Sequence, residues 1–114
     1  MLKKKDIIQP VYNAGKITFY SVSPKKDKFG TIIRGEYQEE KVSSHWFRHL
    51  GITASDTYYA HADDVDISRK LAVRGKTNIS TKYIAKIGDK IYEVYRYFYA
   101  YKNNETEISL KEVD

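Results

Sequence analysis

The sequence predicts an all-β protein, a small antiparallel barrel or sandwich of five to six strands with long loops and at most one short helix. Apolar residues alternate with polar ones over several short stretches, as on strands with one buried face. Short polar links such as Gly88-Asp89 separate these stretches, which is typical of hairpins. The chain has 114 residues, enough for one domain with its own core.

The N-terminal half predicts two strand regions joined by a loop. Residues 16–22 alternate apolar and polar side chains, and we expect this strand to end at Pro24. Residues 24–30 are polar, and their proline and glycine predict a flexible hairpin or connecting loop. Residues 31–50 alternate more loosely and contain the only tryptophan, and Gly35 indicates a bulge there.

A short helix and a further strand are predicted in the middle of the chain. Thr53 or Ser55 can cap a helix of one or two turns, and Asp56 in the first turn complements its dipole. From Val65 the apolar period becomes two, so we expect a strand that ends at the turn formed by residues 75–78.

Four basic residues lie on or beside this strand: Arg69, Lys70, Arg74 and Lys76. Two interpretations fit them equally well. They can flank a loop of a long strand pair that extends beyond the barrel, or they can be solvated residues of an ordinary strand.

The C-terminal third predicts a hairpin and a closing strand. Residues 80–88 alternate as a strand, the Gly88-Asp89 link forms a tight turn, and residues 91–101 continue as the next strand. After a polar turn, residues 106–113 alternate once more and close the chain.

Tyrosines are concentrated in the strand that follows Gly88-Asp89. The chain has 11 tyrosines, and strict alternation assigns Tyr92, Val94, Phe98 and Ala100 to one face, with Ile91, Tyr95, Tyr97, Tyr99 and Tyr101 on the other. A single hydrophobic core covers only one face of this strand. We therefore expect a subunit interface formed by Tyr95, Tyr97, Tyr99 and Tyr101. The alternative is cross-strand packing on a half-exposed sheet.

Positive charge is concentrated in the N-terminal third. The net charge is +5, and residues 1–34 hold eight basic side chains against two acidic ones. Two clusters produce this excess and form a candidate contact patch: Lys3, Lys4, Lys5, Lys25, Lys26 and Lys28. Such a patch suits phosphate or an acidic protein surface. The alternative is solvated lysines on a tail and a loop.

No catalytic, metal or cofactor site is predicted. The chain has no cysteine, and no phosphate-binding loop, dinucleotide fingerprint or nucleophile motif occurs. His45, His49 and His61 lack a patterned ligand set, although acidic residues follow His61. The first residues are too charged for a signal peptide, and no apolar run reaches about 18 residues, so we expect a soluble protein without a membrane partner.

The C-terminal half resembles the head-tail adaptor, or head-closure, proteins of tailed bacteriophages that infect Gram-positive bacteria. Three stretches carry the resemblance in order: ISRKLAVR (67–74), IGDKIYEV (87–94) and TEISLKEV (106–113). The earlier strands KITFYSV and VSSHWF extend it over most of the chain. The resemblance implies a single head-closure-like β domain over residues 1–114, with a basic tail at about residues 1–14.

The resemblance further implies a structural protein of the virion neck, assembled in the host bacterial cytoplasm. Its partners would be other copies of itself in a ring of six or twelve, a portal-adaptor protein above, a tail-completion or tail protein below, and packaged double-stranded DNA in the channel. In this family a loop can close the channel, and here we expect it within residues 25–35 or 60–76. A ring contact is heterologous and needs two different surfaces on each protomer.

Two alternatives stay open beside this hypothesis. The first is a tail-completion or tail-terminator protein of the same neck. The second is an OB-like single-strand nucleic-acid binder, in which Tyr95, Tyr97, Tyr99 and Trp46 would stack bases beside lysines. An enzyme is the least favoured class, because no motif supports one.

Overall fold

The computed structural model describes residues 10–113, so the expected cluster of Lys3, Lys4 and Lys5 lies outside the described residues. Within them the chain forms β1 (Gly15–Lys26), β2 (Ile32–Leu50), α1 (Ala54–Ala62), β3 (Arg69–Arg74), β4 (Ile84–Ile87), β5 (Lys90–Ala100) and β6 (Glu105–Glu112). The predicted all-β class, six strands with one short helix, is confirmed. No helix in this part of the chain is long and apolar enough to cross a membrane.

The six strands close into an antiparallel barrel in the order β1-β2-β3-β6-β5-β4. The barrel closes where β1 pairs with β4, from Thr18 opposite Lys86 to Tyr20 opposite Ile84. The predicted turn at Gly88-Asp89 joins β4 to β5, with Ile87 opposite Lys90. Of the two predicted architectures, barrel or sandwich, the barrel is therefore the one observed.

The core fills the barrel with side chains from every strand. The predicted alternation holds for β1, where Ile17 and Phe19 are fully buried. Ile79, from the loop between β3 and β4, joins the core. The buried cluster consists of Ile17, Phe19, Phe47, Leu71, Val73, Ile79, Ala85, Tyr92, Val94, Ile108 and Leu110. Each large side chain here stabilises the fold by about 1.5–3 kcal/mol through burial.

The sequence predicted that the first strand ends at Pro24, and this prediction is wrong. The strand continues to Lys26, and Pro24 pairs with Tyr37 of β2. Proline is tolerated because β1 pairs with β4 only from Thr18 to Tyr20, so its far end is an edge. The predicted bulge at Gly35 is found: the register shifts between Pro24 and Lys26, and Gly35 has a φ of 80°.

The third strand is shorter than predicted. It begins at Arg69 rather than at Val65. The backbone N–H of Val65 donates to the carbonyl of Ala60, and Asp64 has a φ of 59°, so this segment turns the chain out of α1. The strand pair that extends beyond the barrel is β1–β2, and not one in the region of residues 59–78.

A bulge in β5 changes the face on which the later residues lie. The register shifts between Val94 and Arg96, which leaves Tyr95 as an extra residue. Beyond the bulge Tyr97 pairs with Ile108, whereas Phe98 pairs with Glu107. Since cross-strand partners share a face, Tyr97 lies on the same face as Ile108 and Phe98 on the same face as Glu107, and both aromatic rings are exposed. The predicted division of faces is therefore wrong after Val94.

Helix α1 lies on the outside of the barrel. The Thr53 hydroxyl caps it by accepting from the Asp56 backbone N–H, and the Asp56 carboxylate accepts from the Thr53 backbone N–H, which completes a capping box. Asp56 also pairs with Lys70 of β3 at 2.9 Å, and Ala60 is fully buried. Asp56, predicted in the first turn of the helix, thus also connects the helix to the sheet.

Candidate functional site

Residues 21–41 leave the barrel as a two-stranded ribbon, which we call the projecting hairpin. Beyond Tyr20 β1 pairs only with β2, and β2 pairs with β3 only from Phe47 onward. The molecule accordingly measures 66 × 31 × 24 Å, with a long axis about twice the next. Among the described residues no third strand pairs with this hairpin, although Glu39 forms an ion pair with Lys86 of β4 at 2.6 Å.

Both faces of the projecting hairpin are open to solvent. From Val22 to Lys41 only Ile33 is half-buried. Phe29 at the tip is 82% exposed and Ile32 is 58% exposed. An isolated two-stranded hairpin is marginally stable in water, and exposed apolar groups rimmed by charge mark interaction sites. The hairpin therefore has the features of a contact element.

The tip of the hairpin is basic and its stem is acidic. The tip contains Lys25, Lys26, Lys28 and Arg34 against Asp27, and the stem contains Glu36, Glu39 and Glu40 against Lys41. The second half of the predicted basic patch, Lys25, Lys26 and Lys28, thus lies at the tip. All three side chains are exposed.

Asp27 organises the turn at the tip. Its carboxylate accepts hydrogen bonds from the backbone N–H groups of Phe29, at 2.8 Å, and Thr31, at 3.0 Å. The ammonium of Lys28 lies 5.1 Å from the centre of the Phe29 ring. The turn therefore presents one aromatic ring beside a cation.

The predicted tyrosine interface is only partly available. The hydroxyl of Tyr95 donates to the carboxylate of Asp63 just after α1, and this bond, aided by burial, raises the pKa of Tyr95. The hydroxyl of Tyr99 donates to the Asn104 side chain at 2.6 Å. Tyr97 and Tyr101 are exposed. Two of the four tyrosines therefore serve the fold, and two face solvent.

The four basic residues predicted to flank a loop contact their own barrel instead. Lys70 pairs with Asp56 and, at 3.7 Å, with Glu107. The other three lie over aromatic rings: Arg69 over Phe47, Arg74 over Tyr12 and Lys76 over Tyr99. Because β3 pairs with β2 and β6 inside the barrel, it does not form the strand pair that was expected to extend beyond it. The solvated alternative also fails for Lys70, whose side chain is largely buried.

A second exposed surface, which sequence reasoning missed, surrounds α1. Tyr58 and Tyr59 are 73% and 57% exposed. Beside them lies a cavity of about 320 Å³, lined by Tyr59, Ala62, Asp63, Tyr95 and Arg96. We call the set Tyr58, Tyr59, Ala62, Asp63, Asp64 and Asp66 the helix patch. Its members come from α1 and the turn after it, where only the acidic run was visible in the sequence.

An open groove of about 790 Å³ lies between β2 and the segment that precedes β1. It is lined by Pro10, Val11, Tyr12, Lys16, Ser44, His45, Trp46 and Arg74. Trp46 is exposed, with the ammonium of Lys16 5.9 Å from its ring. In the closed order β2 and β5 are three strands apart in either direction. Trp46 therefore forms no common surface with Tyr95, Tyr97 and Tyr99.

The histidines form no metal site in the described part of the chain. No group of three or more His, Asp or Glu side chains there can hold an ion. His45 lies beside Phe19 on the inner side of β2, and burial lowers its pKa. His61 contacts Asp66 at 3.1 Å on the surface.

With the barrel, the hairpin and the helix patch described, the chain can be compared with known proteins. No protein-family profile matches it, and no curated protein matches it. The fold of this chain is similar to that of protein SF1141 from Shigella flexneri 2a. That solution structure superposes with a TM-score of 0.67 over 89% of this chain and 93% of the other, at 13% sequence identity. At this identity the similarity to SF1141 shows the fold alone.

Proposed function

We propose that this protein is a structural component of a bacteriophage head-tail connector, a protomer of a ring that joins head to tail below the portal-adaptor. The observation that supports the proposal is the projecting hairpin. A head-to-tail ring contact needs two different surfaces on each protomer, and a projecting element can supply one of them. Residues 21–41 reach out of the barrel and expose apolar side chains that their own fold does not cover.

The charge of the tip fits the same role. Lys25, Lys26 and Lys28 together with Arg34 outnumber Asp27, so the tip would be attracted to an acidic neighbour and would associate faster with it. Of the two segments expected to close the channel, residues 60–76 lie against the barrel, and residues 25–35 form the tip. Channel closure stays a prediction.

The proposal is tested by recovering a tagged copy from cells in which the encoding phage is replicating. Mass spectrometry would identify the bound proteins, and negative-stain microscopy would show the captured particles. Portal and adaptor proteins with DNA-filled heads support the connector. Tails captured without heads favour the tail-completion alternative. Replication proteins and single-stranded DNA, with no particles, contradict both.

A second candidate function is single-strand nucleic-acid binding at the groove on β2. The observation that favours it is the alternation of aromatic rings and cations there, Trp46 with Lys16 and Tyr12 with Arg74. Such pairs suit stacked bases and phosphates. This site differs from the one expected from the sequence, because Tyr95, Tyr97 and Tyr99 lie elsewhere.

The only tryptophan lies in that groove, so its fluorescence reports on this site alone. A binder would show quenching by single-stranded oligonucleotides, with affinity falling steeply between about 50 and 200 mM salt. Arg74→Gln should weaken that binding, and Arg34→Gln at the hairpin tip is the matched control. Unchanged Trp46 emission at low salt would remove this candidate.

A further inference from the structure

We propose that the tip of the projecting hairpin docks on the helix patch of a second copy of this chain, with Phe29 entering the cavity beside Tyr59. The inference rests on the proposed ring and names the surface that receives the hairpin. It assigns the tip to a lateral contact between neighbours.

Distance within the chain requires the contact to be intermolecular. The tip precedes β2, and α1 follows β2. The two surfaces therefore lie at opposite ends of this 19-residue strand, Ile32–Leu50. At the rise of an extended chain this strand spans about 60 Å, which agrees with the 66 Å long axis. The tip therefore cannot reach the helix patch of its own molecule, and the contact would be head-to-tail.

The tip supplies a protruding aromatic ring, and the helix patch borders a cavity. Phe29 is a single protruding ring on a turn that Asp27 holds in place. The cavity of about 320 Å³ by Tyr59 and Tyr95 is large enough for one aromatic side chain. Aromatic anchors that fill pockets contribute most of the binding free energy at interfaces. Edge-to-face packing of Phe29 against the tyrosines would add to it.

The charges of the two surfaces are complementary. The tip has a net charge of +3 from Lys25, Lys26, Lys28 and Arg34 against Asp27. The helix patch contributes Asp63, Asp64 and Asp66, with His61 and Arg96 as the adjacent basic groups. Exposed ion pairs are individually weak. We therefore expect the charges to fix orientation and speed association, and the apolar anchor to hold the contact.

The absence of cysteine from the chain allows a direct test by disulfide cross-linking. Two variants of different mass, Phe29→Cys and Ala62→Cys, are mixed and oxidised, both as concentrated purified protein and in particles recovered from infected cells. Ala62 lines the cavity and is exposed. Lys102→Cys, exposed in the turn between β5 and β6, is the matched control for Ala62→Cys.

We expect the 29–62 product to form in large excess over the 29–102 product. Equal yields of the two, or a 29–29 product alone, would overturn the inference, since tips that meet each other would line a channel. Failure of the 29–62 product in both settings would also overturn it. The cross-link can be measured on purified protein alone. A 29–62 product without capture of phage heads would therefore contradict the proposed connector function and still support this contact between copies.

Charge reversal provides a second test, which examines the electrostatic part of the contact. Replacing Lys25, Lys26 and Lys28 together with Glu should slow the 29–62 cross-link about tenfold or more. A partner with Asp64→Asn and Asp66→Lys should restore part of the rate, and it leaves Asp63 free to hold Tyr95. Loss without rescue would show that the lysines act elsewhere.

Discussion

Glu105 is completely buried at the start of β6, and its carboxylate pairs with the guanidinium of Arg48 on β2. The Nε of Arg48 donates at 2.9 Å, and the hydroxyl of Tyr12 donates at 2.8 Å. Burial opposes ionisation, but these hydrogen bonds outweigh it and lower the pKa of Glu105. The pair therefore joins β2, β6 and the segment before β1 through one buried charge.

Arg48→Ala should destabilise the fold by about 3–5 kcal/mol, because it leaves the Glu105 carboxylate buried without its cation. Urea unfolding followed by Trp46 fluorescence measures the change. Lys90→Ala is the control, since Lys90 and Glu112 form an exposed pair at 3.5 Å, worth under about 1 kcal/mol. Equal effects of the two substitutions would mean that Glu105 carries no buried charge.

Acid should loosen the attachment of α1 through Asp56. Burial opposes its ionisation, but hydrogen bonds from Thr53 and Lys70 lower its pKa from 3.8 to about 2. A depressed carboxyl pKa stabilises the fold above the ordinary value, and that contribution is lost as the pH falls toward 2. The contribution is about 2 kcal/mol.

Asp56→Asn tests this directly, because it removes the titrating group. Between pH 5 and pH 2 the free energy of unfolding of the natural chain should fall more steeply than that of the variant. The side chains of Asp64 and Asp66 are exposed, so Asp66→Asn is the matched control. Parallel pH profiles for the natural chain and Asp56→Asn would contradict the assignment.

Substitutions at Phe19 and Phe29 should differ in their effect on stability, because only Phe19 belongs to the core. Phe19 is fully buried, so Phe19→Ala should cost about 3–5 kcal/mol. Phe29 contacts solvent, so Phe29→Ala should change the free energy of unfolding by less than about 0.5 kcal/mol. Thermal unfolding of both variants measures this. If Phe29→Ala were as damaging as Phe19→Ala, the tip would be part of the core.

Removal of the projecting hairpin should leave the barrel folded. Val22 lies opposite Glu39, so an Asn-Gly turn can replace residues 23–38 and close the shortened strands. The core residues of β1 and β2 lie before and after this stretch. We expect unfolding within about 1 kcal/mol of the natural chain, since the residues removed make few buried contacts. Loss of cooperative unfolding would show that the hairpin supports the core.

Local patterns in the sequence predict much of this fold. Alternation identified the buried face at Ile17 and Phe19, the Gly88-Asp89 link identified a hairpin, and the alternative caps Thr53 and Ser55 placed the start of α1 within two residues. Each of these signals lies within a few neighbouring residues. They also sufficed for the all-β class.

The features that form the candidate site depend on contacts between distant residues. The sequence pattern does not reveal the bulge at Tyr95. Both faces of β5 carry aromatic residues, so a shift by one residue leaves the pattern unchanged. Pro24 suggested a strand end, because sequence does not show that β1 lacks a second neighbour there. The cavity beside the helix patch brings Tyr59 and Tyr95 together across 36 positions of the sequence, and no local periodicity extends that far.

The connector proposal is tested most directly by complementation of the encoding phage with the gene inactivated. The natural chain and the variant lacking residues 23–38 are supplied in turn, and free heads, free tails and joined particles are counted by microscopy. We predict that the natural chain restores joined particles, and that the folded variant leaves DNA-filled heads and tails apart. Normal yields of joined particles without any supplied chain, or with the shortened one, would contradict the proposal.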